Sequence, residues 1–330
     1  MKGLLKQAKS AKPKAHSENS PKKGGFLTDI VSISDFSRGN IELVLENAAK
    51  MEKLPRDRKA QILKNFVVAS LFFEPSTRTR LSFETAAQNL GARVVGFADA
   101  GVTSTKKGET LSDTIKMVEN YADIIVMRHF LEGAAKRAAE ISRRPIVNAG
   151  DGANQHPTQT LLDLYTMKKE FGKIDRLRIC LAGDLKYGRT VHSLMYALSK
   201  FRDVTVYLVS PKSLEMPRHI IEETKHSLRI VETQSLEKYI KEFDVLYATR
   251  IQKERFPDEI EYEKLKNVYI ITPELVAKAR PGMRIMHPLP RVNEIEPEVD
   301  RMPAALYFSQ AANGVPVREA LLSMLKGAEK

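Results

Sequence analysis

From Phe66 onward, short apolar runs alternate with segments in which apolar residues return every three or four positions. The first runs are FVVASLFF (66–73), RVVGF (93–97), DIIVM (123–127) and PIVNA (145–149). A second set follows: LRICLAG (177–183), VTVYLVS (204–210), LRIVE (228–232), DVLYA (244–248), VYIIT (268–272) and MRIMH (283–287). Short, nearly continuous Val/Ile/Leu runs are strands buried on both faces, and helical spacing between them supplies parallel crossovers. The pattern predicts an α/β chain of two similar domains, each a mostly parallel sheet covered by helices on both faces. It divides the chain into a tail over 1–25, a first domain over 26–157 and a second over 158–309. A C-terminal helix over 310–330, containing PVREALLSMLKG, packs back to complete the first domain. The helical stretch from Thr158 to Lys169 joins the two domains. No repeat with a period of 20–50 residues interrupts this order.

Charge changes the picture little. The 330 residues carry a net +12, which on its own points to nucleic acid. Yet residues 1–25 hold seven lysines against Glu18, so half the excess sits in one polar Ser/Lys/Pro/Gly segment. Such a segment buries too little apolar surface to order itself and reads as a disordered basic tail. It lacks the apolar core of a secretory signal and the arginines of a mitochondrial presequence. No run of eighteen apolar residues is present, so no membrane partner is expected. The single Cys180 lies inside a predicted strand and leaves no intrachain disulfide and no cysteine-built zinc site. A reducing, cytoplasmic setting follows.

Ligands of open parallel sheets bind beyond the carboxyl ends of the strands. After the first strand comes EPSTRTR, with Ser76, Thr77, Arg78, Thr79 and Arg80 leading into a helix. A helix start offers unpaired N–H groups and partial positive charge, and a hydroxyl–arginine alternation adds further donors for an anion. An ordinary N-cap needs only one hydroxyl. The third strand ends in Arg128-His129, and the fourth in GDGANQHPTQT with His156 and Gln159. The fifth ends in GDLKYGRT with Arg189, which is not the glycine pattern of a dinucleotide site. The eighth ends in TRIQKER with Arg250 and Gln252, and the last in HPLPR, where two prolines stiffen a loop that exposes carbonyls. Guanidinium groups spaced by whole βα units at one sheet edge predict a cleft for a multiply charged anion. The earlier set suits a phosphate and the later set suits carboxylates.

These motifs, in this order, resemble the catalytic chains of the aspartate carbamoyltransferase family over residues 26–325. The carriers are STRTR (76–80), HPTQ (156–159), GDLKYGRTVHSL, TRIQKERF and MHPLPRVNEI. The related ornithine enzymes share the phosphate signature but characteristically carry HCLP where this chain has HPLP (287–290). The resemblance implies transfer of a carbamoyl group from carbamoyl phosphate to L-aspartate in pyrimidine synthesis, with no cofactor and no metal. It implies that Ser76, Thr77, Arg78 and Thr79 hold the phosphate and that Arg128 bridges phosphate and carbamoyl oxygen. His156 and Thr79 would polarise the carbonyl, and Gln159 would bind the carbamoyl amide. Backbone carbonyls of Leu289 and Pro290 would receive the carbamoyl NH2 and the attacking amine. Arg189, Arg250 and Gln252 would hold the carboxylates of aspartate. It further implies a homotrimer in which Ser104 and Lys107, from TSTKKGET (103–110), reach a neighbour's phosphate. LEGAAKRA (131–138) is similar to the region where some relatives bind a zinc-containing regulatory chain.

Overall fold

The computed structural model describes residues 27–251, 262–263 and 265–328. The tail predicted over 1–25 and the predicted site residue Gln252 lie outside these residues. Nine of the ten apolar runs form strands, in two separate parallel sheets. In the first sheet, β1 (Val67–Phe72), β2 (Arg93–Phe97), β3 (Ile124–His129) and β4 (Ile146–Asp151) lie in the order β2-β1-β3-β4. In the second, β5 (Arg178–Ala182), β6 (Thr205–Val209), β7 (Arg229–Thr233), β8 (Val245–Ala248) and β9 (Arg284–Met286) lie in the order β7-β6-β5-β8-β9.

The run VYIIT (268–272) departs from the expectation. It forms no strand: Ile271 donates to the Glu294 carbonyl (2.9 Å) and accepts from Glu296 N–H (3.1 Å), a single bridge. Thr272 then caps the next helix through Leu275 N–H (3.2 Å), with Pro273 in its first turn. The helix start directly behind the run leaves no length for a sheet strand.

Helices α1 (Arg38–Lys53), α2 (Arg56–Lys59), α3 (Thr77–Asn89), α4 (Leu111–Val118) and α5 (Ala134–Ile141) accompany the first sheet. Helix α6 (Pro157–Phe171) leaves β4 and runs between the sheets. Every residue from Pro157 to Met167 is buried, as befits a helix enclosed on all sides. Helices α7 (Arg189–Leu198), α8 (Arg218–Thr224) and α9 (Pro273–Ala277) belong to the second half. The chain then forms α10 (Tyr307–Ala312) and α11 (Gly314–Met324), so the predicted C-terminal helix is two helices in succession. Helix α11 packs on α1, α3 and α6.

Strand pleating divides the core into three clusters, because successive side chains take opposite faces. Val68, Ile124 and Val147 of the first sheet and Ile179 and Val206 of the second share one cluster with α6 and α11. Ala69, Ile125 and Met127 pack on the other face of the first sheet. Cys180, Leu246 and Ile285 pack on the other face of the second, so Cys180 is core. Among the described residues no helix is long and apolar enough to cross a membrane.

Register decides what meets at the edge. Phe72 stands beside Arg128, and His129 beside Asp151, so β1, β3 and β4 end together. Ala182 stands beside Ala248, and Tyr247 beside Met286, so β5, β8 and β9 end together as well. The residues that follow these strands face one cleft.

Candidate active site

The cleft has a volume of about 320 Å³ and is bordered by loops from the carboxyl edges of both sheets. Its first wall is the turn from β1 into α3. Ser76 occupies the N-cap position with extended backbone, but its side chain makes no capping bond. The hydroxyl is therefore not spent on the helix. Ser76, Arg78 and Thr79 border the cleft, whereas Thr77 is exposed and does not. One residue along a helix turns the side chain by about 100°, which separates Thr77 from its neighbours. Arg80 turns toward Glu84 (3.4 Å), which also accepts from Ser70 Oγ (3.1 Å), so it braces α3.

Behind this turn Glu74 stands between two arginines. Arg128 Nη2 donates to Glu74 Oε1 (3.0 Å), and Arg189 Nη1 lies 3.6 Å from Oε2. Arg128 also donates to the Ala149 carbonyl (3.3 Å), and Arg189 to that of Gly152. Both guanidiniums pass over Gly150. A Cβ there would come within 3.0 Å of Arg128 Nη1 and 3.3 Å of Arg189 Cζ, and its φ of +116° disfavours other residues. Burial, then Arg189, pull the Arg128 pKa down to about 10 against the opposing pull of Glu74. Arg128 thus remains charged at neutral pH but is poorly compensated, and its buried Nε has no partner among the described residues.

His156 begins α6 with a side chain that is 4% exposed and an Nδ1 without a partner among the described residues. Burial, with Arg189, Arg128 and Arg318 nearby, holds its pKa well below the ordinary 6.5. The ring should therefore stay neutral at neutral pH. NMR titration of the ring protons checks this, and a midpoint near the ordinary value would contradict it. Gln159, one turn on, also borders the cleft.

The opposite wall is the loop after β9. His287 Nδ1 accepts from Leu289 N–H (2.8 Å), so the ring proton sits on Nε2, which donates to Glu294 Oε1 (2.7 Å). The other oxygen of Glu294 accepts from Val292 N–H (3.0 Å) and Asn293 N–H (3.1 Å). This brace holds Leu289 at φ +55°, a left-handed conformation rare for a branched side chain. Leu289 and Pro290 consequently face the cleft.

Ten predicted residues therefore meet: Ser76, Arg78, Thr79, Arg128, His156, Gln159, Arg189, Arg250, Leu289 and Pro290. Ser104 and Lys107 do not join them; they lie exposed in a short helical turn (Ser104–Lys107) beyond the edge strand β2. The sequence reading missed Glu74, Tyr187 and Arg318, which also border the cleft. For Glu74 a signal was present: a lone carboxylate directly before an arginine-rich loop. For Arg318 there was none, because it reaches the cleft from the C-terminal helix. Five arginines against Glu74 leave the lining strongly positive.

Residues 28–169 match the family described as aspartate/ornithine carbamoyltransferase, carbamoyl-P binding domain, and residues 175–325 match its Asp/Orn binding domain. The chain belongs to the aspartate/ornithine carbamoyltransferase family. The aspartate carbamoyltransferase catalytic subunit of Thermococcus onnurineus is 57% identical, over 91% of this chain and 97% of that protein. The catalytic subunit named likewise in Chromobacterium violaceum is 54% identical, over 91% of this chain and 98% of its own length. Among solved structures, the catalytic subunit of M. jannaschii aspartate transcarbamoylase superposes with a TM-score of 0.84 at 52% identity, covering 90% of this chain and 97% of the other. The Trypanosoma cruzi aspartate transcarbamoylase in complex with carbamoyl phosphate gives 0.84 at 39% identity, covering 90% and 95%.

Proposed function

We infer that this family member is an aspartate carbamoyltransferase: carbamoyl phosphate and L-aspartate give N-carbamoyl-L-aspartate and phosphate, in de novo pyrimidine synthesis. The observation that carries this reading is the arginine-lined cleft between the two sheet edges, with a phosphate-type loop on one wall and Arg189 and Arg250 on the other. Carbamoyl phosphate brings a dianion and aspartate brings two carboxylates. Ornithine would bring a second ammonium into the same positive field, which disfavours it.

In this reading Ser76, Thr77, Arg78 and Thr79 hold the phosphate, Thr77 through its backbone N–H at the start of α3. Arg128 spans phosphate and carbamoyl oxygen, and neutral His156 with Thr79 donates to that oxygen. Gln159 takes the carbamoyl NH2, together with the carbonyls of Leu289 and Pro290, which also orient the attacking amine. Arg189, Arg250 and Gln252 hold the aspartate carboxylates. The amine attacks the carbonyl carbon, an oxyanion develops, and the C–O bond to phosphate breaks. The departing phosphate accepts the amine proton, so the cycle needs no covalent enzyme intermediate. Donors set in advance around the oxyanion supply most of the rate, and in-line placement of both substrates supplies much of the rest. The test is a product assay with aspartate and with ornithine as acceptors. Carbamoylation of aspartate is expected, and turnover of ornithine alone would refute the reading.

The same reading includes a homotrimer in which Ser104 and Lys107 complete a neighbour's phosphate site. Their exposure beyond an edge strand, away from their own cleft, supports it, as do the exposed Val95 and Val102 beside them. Mixing Arg78→Ala chains with Lys107→Ala chains should restore activity that neither has alone. No recovery after subunit exchange would mean that each chain has a complete site. A partner regulatory chain, docking near 131–138, is the remaining part of the reading, and the relatives' designation as catalytic subunits supports it. Light scattering on the native complex tests it: a mass of only three chains of 37.2 kDa would count against that partner.

A further inference from the structure

One buried carboxylate has no role in the chemistry above. Asp163 stands on α6 one turn beyond Gln159 and is 0% exposed. Its Oδ1 accepts from Gln159 Nε2 (2.9 Å) and from Gln310 Nε2 (2.6 Å), and its Oδ2 from the Tyr247 hydroxyl (2.8 Å). Gln310 is itself fixed, because its Oε1 accepts from the backbone N–H of His287 (2.8 Å). A backbone N–H can only donate, so Gln310 must turn its NH2 toward Asp163. An ionised carboxylate can only accept, so Gln159 must do the same. A planar amide whose nitrogen is held on one side presents its oxygen on the other, and Gln159 borders the cleft. An unanchored glutamine could present either end.

We propose that Asp163 is a positioning residue that locks the Gln159 carbonyl toward the cleft, so that the site selects an acyl phosphate or its phosphonate analogue carrying an amide N–H over one carrying a methyl group. This rests on the carbamoyl phosphate reading of the cleft. The chemistry is that of a buried acceptor. A ligand NH2 satisfies the Gln159 oxygen, whereas a methyl of similar size leaves it without a donor, which discriminates far more strongly than shape. The chain from His287 N–H through Gln310 and Asp163 to Gln159 also ties the loop carrying Leu289 to the same acceptor. The carboxylate thereby sets Gln159 and is linked through Gln310 to the loop that the His287–Glu294 pair braces. Burial pushes the Asp163 pKa up to about 7, opposed by the three donated bonds and by the charge of Arg318.

The test compares two stable probes, phosphonoacetamide and 2-oxopropylphosphonate, which differ only in NH2 against CH3. Binding is measured by calorimetry on the full chain at about pH 8, where the carboxylate is ionised. The wild type should prefer the amide by about ten- to a hundredfold. Asp163→Leu should lose that preference by weakening amide binding while methyl ketone binding stays constant. Asp163→Asn should keep it, because its carbonyl can accept both glutamine amides while its NH2 faces the Tyr247 hydroxyl. Equal weakening of both probes in the Leu variant, or the same loss in the Asn variant, would overturn the proposal. So would equal affinity of the two probes for the wild type. Failure of both probes to bind the wild type would instead refute the carbamoyl phosphate reading. Neutron diffraction of the wild type needs no variant to fold: deuterons on the Gln159 nitrogen should point to Asp163, and a nitrogen facing the cleft would refute the assignment.

Discussion

Arg78→Ala is expected to lower kcat by about a hundred- to a thousandfold with the fold intact, the scale for losing one donor to developing charge. Arg78 opens onto the cleft from the first turn of α3, where helix N–H groups already favour an anion. Among the described residues no carboxylate is paired with it. Burial, then the charge of Arg250, push its pKa downward, so its positive charge is held at a cost that a bound dianion would relieve. Truncation removes both the charge and a forked donor, and lysine would restore only the charge. Because the side chain makes no hydrogen bond or ion pair among the described residues, urea unfolding of the variant should match the wild type. Turnover within about tenfold of wild type would mean that the phosphate lies elsewhere.

Arg250→Ala is expected to raise KM for aspartate about a hundredfold, while phosphonoacetamide binds as before. Arg250 follows β8 in the second sheet, and β8 is fixed beside β5 by the pairing of Ala182 with Ala248. The adjacent Thr249 hydroxyl donates to the Ala182 carbonyl (3.1 Å), which anchors the start of this loop. The variant should therefore lose a carboxylate contact without disturbing the phosphate wall on the first sheet. Steady-state kinetics with each substrate varied separately, with calorimetry for the phosphonate, decides the matter. Equal weakening toward both ligands would show that the two walls do not divide the substrates.

Arg78 was legible because its signal is local: a buried strand, a proline, alternating hydroxyls and arginines, then a helix. Gln159 was legible as a ligand group for the same reason. Its orientation was not, because the donors and acceptors that set it come from Asp163, Gln310 and His287, up to 147 residues apart in pairwise contact. Glu74 was read only as part of a loop, since its partners Arg128 and Arg189 enter from other strand ends. The VYIIT run shows the opposite failure. Its composition is that of a strand, but the helix cap immediately behind it and the pairing of Ile271 with residues 294–296 used its backbone first.

By itself the sequence determined the class of fold, nine of its strands, the strand-end loops and the sign of charge they carry. These follow from short-range rules: side-chain period, helix capping and the rigidity of proline. Only the tertiary structure decided which two hydroxyl residues of the Ser76–Thr79 turn border the cleft, and that Glu74 holds two arginines together. It alone decided that His156 sits neutral and that a buried carboxylate orients Gln159. Those properties depend on burial and on hydrogen-bond partners distant in the chain. Desolvation and donor–acceptor matching exist only once the two sheet edges have closed on the same cleft.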